Sequence, residues 1–227
     1  MRRLARWHIW LGWLVGVPLL LWTASGLFMA SWPIEEVRGA HLRAEPGAVA
    51  LAGLVVPQAA PVTKLTLVDE AGRPVWVATL AGGALRRFDA KNGLALPAVE
   101  EAEARAIALA TYRGEARLVG MARFAADKAP IELRRERPSW QARFGDDTHL
   151  YIDAGTGEVL AVRTRLWRAY DFMWGLHIMD LEGRENSHHP VLIGFAALAV
   201  AGSVVGVVLL FRRRRARRRF AASDPAA

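Results

Sequence analysis

The 227-residue chain contains no cysteine. That absence excludes disulfide frameworks, iron–sulfur clusters, thiolate zinc sites, cysteine nucleophiles and covalent c-type haem attachment. It leaves histidine, methionine and oxygen as the metal ligands. Charge is missing between Arg6 and Glu35 and again over residues 190–211. No nucleotide fingerprint is present, because Gly72 and Gly82-Gly83 fall in hairpin-like segments and not before a helix. No acid/base or nucleophile constellation stands out in the middle of the chain, and Asp146 and Asp147 read as hairpin-turn residues, not as a carboxylate pair. The formal charge of +8 is absent from the body of the chain: Arg2, Arg3 and Arg6 with the seven arginines after Phe211, less Asp224, carry +9, and residues 7–211 sum to −1. A nearly neutral body between basic ends is a poor nucleic-acid surface and a good membrane topology signal.

The apolar stretch 7–29 is rich in Leu, Val and Trp, and 190–211 is a second uncharged run of 22 residues that stops at an arginine block. At about 1.5 Å rise per residue, each is long enough to cross a hydrocarbon core of roughly 30 Å. Arginines flank the outer end of both runs, so the positive-inside rule places both termini in the cytoplasm and residues 29–189 on the other face. The first run is longer than a leader's apolar core of about 7–15 residues and lacks a clear small-x-small cleavage pattern, with Phe28 at −3 of a site near Ala30; it is read as an uncleaved anchor.

Between the runs, 46–61 is rich in Ala, Val, Gly and Pro and reads as a flexible lead-in or an edge segment. Beyond it the chain repeats itself. Residues 75–80, a turn at Gly82-Gly83, residues 85–89 and the turn 91–93 are followed, sixty-four positions on, by 140–144, a turn at 145–147, 149–153 and 155–157. Phe88 to Leu96 and Ile152 to Leu160 both read apolar-Asp-Ala-x-x-Gly-x-x-Leu, with an Asp to cap its own turn and a Gly to supply positive φ. Residues 99–111 predict a helix and 116–124 a strand. The expected fold class is a membrane α+β protein: two transmembrane helices in a hairpin flanking an extracytoplasmic domain of helix/β-hairpin repeats. The expected division is 1–32 (basic start and first span), 33–164 (domain, with repeats at about 62–112 and 113–164), 165–189 (interfacial amphipathic segment), 190–211 (second span) and 212–227 (basic tail).

Four of the six histidines fall at the expected membrane boundary: His8, His177, His188 and His189. A neutral imidazole is a common axial ligand of b-type haem iron, and a flat porphyrin also needs apolar walls and close approach. His8, Gly12 and Gly16 follow at i, i+4, i+8 and are expected to form one flat helical flank, with Gly12-x-x-x-Gly16 also a helix-packing motif. The segment 167–181 is aromatic and apolar enough to lie in the interface. That puts His177 near membrane level and lets His189 return to the same depth after the loop 182–187. His177 and His189 are the candidate pair, with Met179 and His188 as weaker candidates.

The stretch from Tyr151 to Leu160, Tyr-Ile-Asp-Ala-Gly-Thr-Gly-Glu-Val-Leu, resembles the closing motif of the PepSY domain. The opening Trp7-His8-Ile9-Trp10-Leu11-Gly12 through Pro18 to Gly26, and the closing Leu176-His177-Ile178-Met179-Asp180 with Arg184 and His189-Pro190, resemble the PepSY-associated transmembrane family. Members with four spans are associated with inner-membrane haem proteins that reduce ferric iron or ferric siderophores in the periplasm, using histidines on the spans. This chain has two spans, so the resemblance implies a homodimer in the bacterial inner membrane. It implies non-covalent haem b held by His8, His177 and His189, Gly12 and Gly16 as haem-packing positions, and a ferric reductase-like relay from a quinol or another redox protein. The rival readings are a non-catalytic periplasmic interaction or inhibitor module, and copper or iron binding without haem.

Overall fold

The computed structural model describes residues 2–45, 47–58 and 61–222. Pro46 and residues 59–60 of the lead-in lie outside the described residues, as does Asp224. In chain order the elements are α1 (Arg2–Ala30), a short α2 (Ile34–Val37), strands β1 (Val62–Glu70), β2 (Arg73–Leu80), β3 (Leu85–Asp89) and β4 (Ala95–Leu96), and α3 (Glu101–Thr111). There follow β5 (Leu118–Phe124), β6 (Ser139–Phe144), β7 (His149–Asp153), β8 (Val159–Arg163), α4 (Arg165–His177) and α5 (Pro190–Ala222). Two compact units result, Met1–Trp32 with Tyr170–Ala227, and Pro33–Ala169.

In the first unit α1 packs on α5. At about 1.5 Å per residue the 29 residues of α1 and 33 of α5 exceed the roughly 30 Å of a hydrocarbon core. Only 11% of the apolar window in α1 and none of that in α5 is buried by protein, so these continuous apolar faces call for lipid as their solvent. Pro190 opens α5 at the position where a missing N–H costs nothing.

The second unit holds two four-stranded antiparallel sheets, ordered β1-β2-β3-β4 and β5-β6-β7-β8. The β2–β3 pairs from Val75–Asp89 to Thr79–Leu85 recur in β6–β7 from Ser139–Asp153 to Arg143–His149, every number raised by 64. The turn chemistry recurs as well. Asp89 Oδ1 accepts the Lys91 N–H at 2.8 Å and Asp153 Oδ1 accepts those of Gly155 and Thr156 at 2.8 Å. Gly93 and Gly157 both adopt φ 73°, which L side chains resist. Trp76 and Trp140 each donate their indole N–H to an incoming backbone carbonyl, of Val55 at 2.9 Å and Val99 at 2.8 Å.

The copies differ at their first hairpin. Six residues separate the paired Val68 and Val75, whereas fourteen separate their counterparts Phe124 and Ser139. The longer connection carries Glu132. α3 has Glu101 and Glu103 in its first turn, where carboxylates oppose the helix dipole, and buries Ala104, Ile107 and Ala108 at i, i+3, i+4. That stripe joins Trp140, Phe144, Leu150 and Ile152 of the second sheet in the main hydrophobic core.

Candidate functional site

The aromatic and apolar composition of 167–181 puts His177 in an interfacial segment; the structure makes it the last residue of α4 and lays it on α1. Trp22, Ser25 and Gly26, at i, i+3, i+4, form one face of α1. His177 Nδ1 lies 3.1 Å from the Trp22 carbonyl oxygen and 3.1 Å from Ser25 Oγ, and its ring stacks on the Trp22 indole at 4.7 Å. The Ser25 hydroxyl donates to the same Trp22 carbonyl at 2.9 Å. A carbonyl only accepts, so the imidazole proton belongs on Nδ1 and the lone pair on Nε2. Gly26 leaves the room: a Cβ there would stand 3.2 Å from His177 Cε1. Donation of the distal N–H to a backbone carbonyl is the arrangement that fixes a ligating imidazole.

After His177 the chain folds back. Met179 takes a left-handed φ of 56°, and the Asp180 N–H returns to the Gly175 carbonyl at 2.9 Å. Asp180 accepts backbone N–H groups of Asn186 at 3.0 Å, Glu185 at 3.2 Å and Gly183 at 3.1 Å, and these hold its carboxyl down at about 2. Arg184 Nη1 donates to the nearly buried Asp171 at 2.8 Å, clasping the loop to α4. The loop delivers His189, whose carbonyl accepts the Ile193 N–H at 3.2 Å and starts α5. His189 Nδ1 is buried with no hydrogen-bond partner, while His188 is exposed and Met179 half-buried.

Gly175 is where this clasp is tightest. A Cβ there would lie 2.7 Å from Arg184 Cγ and 3.0 Å from the Asp180 carbonyl oxygen, whereas one at Gly194 would meet nothing within 4 Å. Gly175→Ala should destabilise the helical unit by about 1–3 kcal/mol by overpacking. Gly194→Ala should leave it unchanged or slightly more stable through helix propensity. The thermal midpoint of the helical signal in detergent reads both.

His8 occupies the other end of α1, seventeen residues or about 25 Å along the axis from Ser25. Its ring lies against α5, with Cε1 3.0 Å from where a Cβ on Gly206 would be, and its Nδ1 is buried without a partner. Gly12 and Gly16 do not share that face. At about 100° per residue, steps of four and eight residues rotate about 40° and 80° away from His8, so the expected flat flank turns off the α5 contact. Both glycines have open space around them and line an outward groove of about 460 Å³ with Ile9, Trp13, Val17 and Leu20. No group of three or more His, Asp or Glu side chains is arranged as a metal site among the described residues.

The second unit contains a polar cluster that no sequence motif announced. Glu132 Oε1 accepts from Tyr151 at 2.5 Å and lies 2.5 Å from His149 Nδ1, while Oε2 accepts from Arg168 Nε at 3.0 Å. Burial pushes this carboxyl up, but the bonds from His149 and Tyr151 and the charges of His149 and Arg168 outweigh it and hold it at about 2. Burial and the Glu132 carboxylate push the Tyr151 hydroxyl up. The partners are 17, 19 and 36 positions away from Glu132, beyond any local pattern.

Two long lipid-facing helices packed on each other, with a unit of paired antiparallel sheets between them in sequence, define a membrane-associated α+β protein. The chain belongs to the family described as the PepSY-associated TM region, whose model matches residues 5–227. No curated protein and no solved structure matches it.

Proposed function

We propose that this chain is a haem b protein of the bacterial inner membrane that relays electrons outward to ferric iron or a ferric siderophore. The two spans form a membrane hairpin with both termini cytoplasmic. The sheets are PepSY-like repeats facing the periplasm. The observation that carries the haem reading is the His177 imidazole, stacked on Trp22 and hydrogen-bonded through Nδ1, with Nε2 left to ligate. The orphaned Nδ1 atoms of His8 and His189, buried at two other points of the helical unit, suit the same donor chemistry.

Haem bound at such imidazoles supplies one-electron exchange between ferric and ferrous iron. His177 would hold iron through Nε2 while Trp22 and Ser25 fix its tautomer and ring plane. His189 would contribute from the start of α5, presented by the Asp180 loop, and His8 would serve the cytoplasmic end. Met179 and His188 remain secondary. The His8 ring itself fills the space beside Gly206 of α5, so a porphyrin at His8 would need another face of α1. The groove along Gly12 and Gly16 supports a homodimer, since small residues let a second copy's helix approach closely. A quinol or another redox protein is the donor that fits a chain with no nucleotide motif.

The absorption spectrum of detergent-purified protein from haem-replete cells tests the reading. A Soret band with a sharp reduced α-band is expected, lost at the outer site in His177→Ala and weakened in Ser25→Ala by loss of the supporting hydroxyl. Colourless wild-type protein, or haem retained at wild-type level in both His177→Ala and His189→Ala, overturns it. Stoichiometric copper without porphyrin would point to metal handling by the same histidines.

A further inference from the structure

Beyond setting the topology, the arginine-bearing ends of α1 and α5 have no part in the proposed relay. Arg3, Arg6, Trp7 and Trp10 line one open cavity of about 520 Å³. Their positions, i, i+3, i+4, i+7, form a single stripe of α1, with two guanidinium groups at the tip and two indoles one turn deeper. Trp7 is 69% and Trp10 73% exposed, so neither is protein core.

The second set comes from α5. Arg212, Arg213, Arg214 and Arg215 are all exposed. The ring of His8 against Gly206 registers the two helices. From that contact Arg6 and Arg3 lie two and five residues toward the start of α1, about 3 and 8 Å along the axis. Arg212 lies six residues further along α5, about 9 Å. In the hairpin just proposed both sets therefore emerge at one end of the helix pair.

Among the described residues no internal counter-charge answers them. The sequence has no Asp or Glu before Glu35 and none between Glu185 and Asp224. None of these six arginines is in an ion pair among the described residues. Guanidinium groups pair with phosphate oxygens in a fork, and indoles prefer the boundary between headgroup and acyl chain.

We propose that this end of the protein is a binding site for an anionic phospholipid, its headgroup phosphate held by Arg3 and Arg6 with support from Arg212 to Arg215, and its acyl chains lying along Trp7 and Trp10. The apolar continuation below the arginines separates this ligand from free phosphate or a nucleic-acid duplex, which would use the guanidinium groups and leave the indoles idle. The site rests on the proposed hairpin and is independent of haem.

The test uses full-length protein in mixed micelles with phosphatidylglycerol and phosphatidylcholine in competition, retained lipid being counted by native mass spectrometry. Wild type should retain phosphatidylglycerol preferentially, and Arg3→Gln/Arg6→Gln should weaken that preference by about tenfold to thirtyfold. Trp7→Leu/Trp10→Leu should keep the charge preference but retain less lipid in total. Equal retention of the two lipids by wild type, an unchanged preference in Arg3→Gln/Arg6→Gln, or full displacement by inorganic phosphate or a short DNA duplex overturns the proposal. Two controls separate this outcome from the readings beneath it. Single cysteines at Leu4 and Ala222, shielded from an impermeant thiol reagent in intact cells and labelled after lysis, report the shared cytoplasmic face, and Soret absorbance in Arg3→Gln/Arg6→Gln reports the haem sites.

Discussion

Arg87→Met is expected to destabilise the sheet-bearing unit by about 3–5 kcal/mol at neutral pH. Arg87 is fully buried on β3 and lies between two carboxylates. Its Nη2 pairs with Glu70 and, at 2.6 Å, with Glu103 of α3, and its Nη1 donates to the Pro97 carbonyl at 3.1 Å. Burial pushes the Glu70 carboxyl up and the pairing with Arg87 pulls it only part of the way back. The guanidinium, despite its own burial, is held more firmly protonated by the two carboxylates. Methionine in its place leaves Glu70 charged and dry beside Glu103, and the cost is that of the stranded carboxylate, not of a lost attraction.

A companion variant isolates that cause. Arg87→Met/Glu70→Gln removes the stranded charge and should recover a large part of the loss. Arg87→Met alone should also recover as the pH falls, because the carboxyl then takes up a proton. Thermal unfolding followed through the sheet signal of the full chain measures all of these. A cost below about 1 kcal/mol, the range of surface ion pairs, would show that Arg87 is solvated in practice.

The second large effect concerns Glu132. Its folded carboxyl titrates at about 2 against an ordinary 4.5, so it binds its proton less readily folded than unfolded. Its stabilisation is therefore fully present above about pH 4.5 and is lost as the pH falls toward 2. The size is about 3 kcal/mol, on the order of 1.4 kcal/mol per unit, for a side chain only 15% exposed. Glu132→Gln should lose most of this at neutral pH and flatten the acid limb of the stability curve between about pH 4.5 and 2. An acid limb parallel to that of wild type would place the acid lability elsewhere.

Arg87 and Tyr151 are the same position in the two copies, 64 residues apart, and each points a buried polar group at a carboxylate. In the first copy that carboxylate comes from the tight β1–β2 hairpin and from α3. In the second it comes from the longer connection between β5 and β6. The repeat itself was legible because its turns are local: an Asp capping N–H groups two and three residues on, and a Gly at positive φ, leave a fixed spacing in the chain. Glu132 left no such trace. One carboxylate in a polar connection looks like any other until His149, Tyr151 and Arg168 converge on it.

The helical unit divides in the same way. Two apolar runs, the arginines beyond them and the histidines near their ends are properties of composition and order, and they are readable because a bilayer imposes a length and a polarity on any chain that crosses it. The rotation of Gly12 and Gly16 away from His8 was in principle calculable, as it follows from 3.6 residues per turn. The seat of His177 was not. Ser25 stood out only as a hydroxyl in an apolar run, and its partner lies 152 positions away. By itself the sequence determined the class of fold, the two spans, the repeated hairpin and the set of candidate ligands, since each is written in short-range pattern and total charge. Only the tertiary structure decided which imidazole has its proton fixed on Nδ1 and which helix face stays open. It also decided which carboxylates are buried with a cation. Those properties depend on contacts between residues that the chain order keeps far apart.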